Sequence, residues 1–132
     1  MGYTHYWEVK EKIKTKAFKR IQEKASKIAF ISEASVTITT NTHPLHLMLV
    51  IEGIGSDSHE TFYLTPNKNK FQFCKTNQKP YDEIVVAVLN YAGHHHSFSW
   101  WSDGDNFDLE KGVTLSGLPL SRRYYDHKEM KA

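Results

Sequence analysis

Between Lys10 and Phe30 the apolar residues Ile13, Ala17, Phe18, Ile21, Ala25 and Ile28 recur at steps of three and four, the period of one helix face. Such a stripe has to be covered, and the segments around it read as strands rather than as further long helices. Gly2 to Val9 alternates aromatic and polar side chains, which places Tyr3, His5 and Trp7 on one face of a first strand. Ser35 to Thr40 is β-branched and alternating, Leu45 to Ile54 is nearly all apolar, and Glu60 to Leu64 returns from a turn at 55–58. Phe71 to Thr76 and Ser97 to Trp101 complete the strands. Pro80 opens a second apolar helix with Asp82 and Glu83 in its first turn, and Gly93 ends it. The expectation is an α+β fold of the split βαβ, ferredoxin-like kind, with helices near 11–30 and 80–94 on one face of a mainly antiparallel sheet. Phe107 to Leu115 has the makings of a third helix, but Gly112 weakens it.

The chain has 132 residues, enough to bury a core in one domain, here expected over 1–120 with a polar tail at 121–132. One cysteine, Cys74, excludes an internal disulfide or a Cys-rich zinc site and favours a cytoplasmic setting. No apolar run approaches the roughly 18 residues of a membrane span, and no membrane partner is expected. Net charge is only +2, yet eight of the 17 cations lie between Lys10 and Lys27 beside two of the 15 anions. That basic side is an ordinary solvated face, a nucleic-acid contact, or the complement of an acidic patch on another copy, which would make a homo-oligomer.

Four groups of residues carry the chemical candidates. Lys75 and Thr76, with Lys79, end a strand just before a helix N-terminus, where an anion can be held, although Asp82 competes for the same helix dipole. His5 and the run His94 to His96 offer acid and base groups; three adjacent histidines cannot all reach one ion from regular structure, so no metal and no cofactor are expected. Ser102 to Asp105 lacks the spacing and closing glutamate of a calcium loop and reads as a turn with a helix cap. Tyr3, Trp7, Phe71, Phe73, Phe98 and Trp100 alternate on three strands; covered they are core, and open they are a base-stacking platform.

Three stretches resemble a family of small uncharacterised bacteriophage and viral proteins: Gly2 to Trp7 (GYTHYW), Phe71 to Thr76 leading to Pro80-Tyr81-Asp82, and the histidine run followed by Ser102 to Asp105. The resemblance covers 2–8 and 71–110, departs at Trp100 and Trp101, in its run of three histidines and in the final segment with Gly112, and implies a viral context without a chemistry. Combined with the residue chemistry it leads to an expectation of a non-enzymatic protein that binds a small anionic, nucleotide-like molecule, as a counter-defence protein would. The expected ligand set is Tyr3, His5, Lys75, Thr76, Tyr81, His95 and Asp103, with aromatics for a base and Lys and Thr for phosphate. The alternatives are an RNA- or single-stranded-DNA-binding module using the aromatic sheet residues and the basic helix, and a nucleotide-processing enzyme or virion assembly subunit.

Overall fold

The structure is a computed structural model and describes residues 3–104, 106–122 and 124. Gly2, Asp105 and most of the 121–132 tail lie outside the described residues. Among the described residues the elements are β1 (Thr4–Val9), α1 (Thr15–Ile31), β2 (Val36–Asn41), β3 (Met48–Gly53), β4 (Phe62–Leu64), β5 (Asn69–Lys75), α2 (Asp82–Ala92), β6 (Phe98–Ser102) and α3 (Asn106–Ser116). No helix among them is long and apolar enough to cross a membrane.

The fold is α+β, but its arrangement differs from the ferredoxin-like expectation. Two three-stranded antiparallel sheets replace one, in the orders β5-β1-β6 and β2-β3-β4. β1 is antiparallel to both neighbours, so the parallel pairing of a split βαβ unit does not form. The crossover through α1 delivers β2 into the second sheet, where β2 pairs with β3 and β3 with β4. The Trp7 and Phe62 rings meet at 4.8 Å and join the two sheets through one shared core.

α1 buries Phe18, Ile21, Ala25 and Ile28, as its period requires. It begins at Thr15 rather than near residue 11, because Ile13 is held from outside the helix by the Pro66 carbonyl at 2.8 Å. Gln22, a polar residue on the buried stripe, donates to the carbonyls of Asn41 at 2.9 Å and Met48 at 2.8 Å. It thereby ties the helix to the mouth of the β2–β3 hairpin. α2 is buried along nearly its whole length, from Ile84 to Ala92.

A third helix, α3, is present, and Gly112 explains it. A Cβ at this position would sit 2.5 Å from the Val86 side chain and 3.0 Å from the Glu83 carbonyl. The glycine weakens the isolated helix but lets α3 lie close against α2, so tertiary packing outweighs propensity. Asn90 reinforces the contact from α2: its amide donates to Ser116 Oγ and the Pro119 carbonyl, both at 3.0 Å, and accepts from the Ser121 N–H at 2.8 Å.

Candidate functional site: a buried polar network and an open aromatic face

The β5-β1-β6 sheet carries the site. Its register sets Thr4 opposite Lys75, and His5 opposite Cys74 on one side and Ser102 on the other. The segments Tyr3 to His5, Cys74 to Thr76 and Ser102 to Gly104 therefore converge at one end of this sheet. The loop from β5 to α2 closes over them, with the Tyr3 carbonyl accepting the N–H groups of Thr76 and Asn77 at 3.1 and 3.3 Å. In that loop Asn77 and Gln78 both have left-handed backbone, φ 53° and 54°, which asparagine tolerates better than glutamine.

His5 is fully buried and bonded at both ring nitrogens. Nδ1 lies 2.7 Å from Ser102 Oγ, and Nε2 meets the Asp82 carboxylate. Because a carboxylate only accepts, Nε2 carries a hydrogen toward Asp82, and Ser102 Oγ, beside Nδ1, also accepts the Gly104 N–H at 3.0 Å. Thr76, also fully buried, donates its hydroxyl to the same Asp82 oxygen. Asp82 stands in the first turn of α2, where the helix dipole favours its charge.

The order serine, histidine, aspartate invites comparison with a nucleophilic triad. Ser102 is 3% exposed and its oxygen is already shared between His5 and the Gly104 backbone. The network thus fastens β1, β6 and the start of α2 together. Cys74 beside it is buried, and that burial, with Glu60 and Asp82 adding to it, pushes its thiol up to about 12. Burial first, and then the neighbouring Cys74, also raises the Tyr81 phenol, whose hydroxyl donates to the Glu60 carbonyl.

The seven residues expected to form one ligand set are divided by the fold. Tyr3, His5, Thr76 and Tyr81 are buried around the network, Tyr3 standing edge-on to His5 at 5.1 Å and against Gly104. A Cβ on Gly104 would come within 2.3 Å of the Tyr3 hydroxyl oxygen, so this turn needs glycine. Asp103 is exposed and Lys75 half-buried, with the Lys75 N–H held by Glu60 Oε1 at 2.7 Å. His95 follows the far end of α2, ~16 Å away at 1.5 Å per residue, its Nδ1 accepting the Ser97 N–H at 3.1 Å. Among the described residues no three or more His, Cys, Asp and Glu side chains are placed to hold a metal.

The aromatic residues are divided as well, between the two faces of the sheet. Tyr3, Trp7, Phe98 and Trp100 point inward and are at most 8% exposed. Phe71 and Phe73, expected to share that face, do not: Phe73 pairs with Tyr6, and Trp7 pairs with Gln72. Since side chains alternate along a strand, Phe73 shares Tyr6's outward face, and the same rule puts Trp101 there from the other side. Tyr6 and Trp101 are stacked, 5.6 Å apart and 11° from parallel. Phe71 touches Tyr6, Phe73 and Trp101 at 5.7, 5.9 and 6.1 Å between ring centres. Phe71 and Phe73 remain 51% and 57% exposed. Tyr6 and Trp101 fall outside the six aromatics expected from the sequence, although their alternation with Thr4, Glu8 and Ser99 is there to read. Burial, then the charge of Asp103, raises the Tyr6 phenol, whose hydroxyl donates toward that carboxylate at 3.4 Å.

No family model, no curated protein and no solved structure matches the chain.

Proposed function

We propose that this protein binds single-stranded nucleic acid by stacking bases on the outer face of the β5-β1-β6 sheet. The observation that carries the reading is the mutual contact of Tyr6, Phe71, Phe73 and Trp101 on that face, with two of the rings more than half exposed. Contiguous exposed aromatics are costly on a protein surface and mark a place where something docks. Bases suit them because every base has a π-face, and each base stacked on a side chain contributes about 1–3 kcal/mol. Thr4 and Lys75 border the same face and supply a hydroxyl and a cation for a phosphate, whereas Glu8 and Asp103 keep the face from being strongly basic. Stacking rather than charge therefore dominates.

The small nucleotide-like ligand remains related chemistry, since a mononucleotide would use one or two of the same rings and Lys75. An extended strand uses all four. Titration of Trp fluorescence with a uridine dodecamer, a thymidine dodecamer and uridine monophosphate at two salt concentrations separates the two ligands. The expected result is oligomer binding well above that of the monophosphate, weakened roughly 5- to 150-fold by Phe73→Ala or Phe71→Ala. Its logarithmic salt slope should stay near about −0.7, the value for about one phosphate contact on a single strand. Absence of oligomer binding at low salt, indifference to both phenylalanine variants, or a slope of several units pointing to the basic side of α1 would overturn it.

A further inference from the structure

At the other end of α2 a cleft of about 380 Å³ lies between α1, the residues following α2 and the segment after α3. Its size falls in the range of small-molecule sites. Ala17, Ile21, Ala92 and Leu118 make its walls apolar, while Arg20, His94 and His95 bring nitrogen groups to it. Among the described residues no Asp or Glu lines it and no carboxylate pairs with Arg20. Glu23, the nearest acid along α1, lines a different groove together with Lys19 and Ser26. Lys24, one turn beyond Arg20, has its ammonium 5.6 Å from the centre of the Tyr91 ring, which adds a second cation beside the cleft.

The C-terminal end of a helix normally repels anions, because its last carbonyls point outward. Here three of the last four carbonyls of α2 are engaged: Leu89 accepts from the Gly93 N–H, Tyr91 from His94 and Ala92 from His95, and the Gly93 carbonyl that follows accepts from the Ser121 hydroxyl. The two histidines are positioned as well. His94 Nε2 bonds the Pro119 carbonyl at 2.8 Å and so carries a hydrogen, and His95 Nδ1 accepts the Ser97 N–H at 3.1 Å.

We propose that this cleft binds a small organic carboxylate with a compact apolar body, the carboxylate on the Arg20 guanidinium and the body against Ala17, Tyr91 and Leu118, the half-buried apolar members of the lining. A planar two-donor fork facing a carboxylate, next to an apolar wall, is the arrangement that selects such a ligand over a neutral or purely ionic one. The site is separate from the aromatic face and stands whether or not nucleic acid binds there.

The test uses the full chain with benzoate, benzamide and acetate, followed by amide NMR shifts and by melting temperature. Benzoate is expected to give saturable shifts at the amides of Ala17, Tyr91 and Leu118, with benzamide and acetate at least ~10-fold weaker. Arg20→Gln should weaken benzoate ~10-fold or more at an unchanged melting temperature, since Arg20 is exposed. Lys19→Gln, a cation on the neighbouring groove, should leave benzoate unaffected. No saturable shift, shifts elsewhere in the chain, equal binding of benzamide, or an equal loss from Lys19→Gln would each overturn the proposal.

Discussion

The two faces of the β5-β1-β6 sheet are built from the same kinds of residue and have opposite fates. The inner face carries Tyr3, His5, Trp7, Cys74, Phe98, Trp100 and Ser102, all buried, with His5 and Ser102 tied into the network that includes Asp82. The outer face carries Tyr6, Phe71, Phe73 and Trp101, which touch one another but are left in part to solvent. Aromatic content does not separate core from function; the alternation of the strand and what lies above each face do. A buried ring contributes to folding by the area it removes from water, and an exposed ring is available to whatever arrives.

The sharpest way to break this contrast is to truncate one ring on each face. Trp7→Ala should cost about 3–5 kcal/mol in urea unfolding, the loss of a buried large side chain plus the cavity left behind. Phe73→Ala should stay within about 1 kcal/mol, because its ring is more than half exposed. Equal losses would mean that the outer face is also core. His5→Ala comes next at about 2–3 kcal/mol, since it leaves the Ser102 hydroxyl and the Asp82 carboxylate without their shared partner. A loss under about 0.5 kcal/mol would show that the network adds nothing to the fold.

Gly112→Ala probes the helical layer that closes the core. It should destabilise by about 1–2 kcal/mol despite alanine's higher helix propensity, because the added methyl meets Val86. A gain in stability by calorimetry would show that α3 can move off α2.

Cys74 sharpens the same contrast by chemistry. Its thiol is pushed from 9.0 up to about 12 in the folded protein, chiefly by burial. The unfolded chain therefore holds fewer protons than the folded one between those values, and stability falls as pH rises through that window, by at most about 1.4 kcal/mol per pH unit. Below about pH 9 this contribution is fully present. At about pH 8 the thiol should react with a disulfide reagent slowly in buffer and fast in urea, and equal rates would place it outside the core. The smallest effect belongs to Lys75→Ala on the outer side, within about 0.5 kcal/mol of wild-type stability by urea unfolding.

Much of the secondary structure was legible because it rests on period. The stripe of α1, the alternation of β1 and the Pro80-to-Gly93 helix are local patterns, and local patterns survive in the sequence. The approach of Tyr3-Thr4-His5 to Cys74-Lys75-Thr76 follows from two strands being neighbours, and their pairing is in the register of β1 with β5. Asp82 and Ser102 were harder to place, because each reads locally as an ordinary helix-start or turn residue. Their meeting at His5 spans 77 and 97 residues of chain.

What the sequence determined by itself is the six strands and the two long helices, their approximate limits and the amphipathic pattern of each. What only the tertiary structure decided is which strands pair, in which register and beneath which cover. A shift of one residue in the pairing of β5 with β1 would carry Phe71 and Phe73 into the core and Cys74 out of it, with no change in either strand's own pattern. Register is chosen by contacts between residues far apart in the chain, and its energy comes from the packing of whole faces. For that reason two helices on one sheet and three helices on two sheets were both open to the same sequence pattern until Gly112 met Val86 and Trp7 met Phe62.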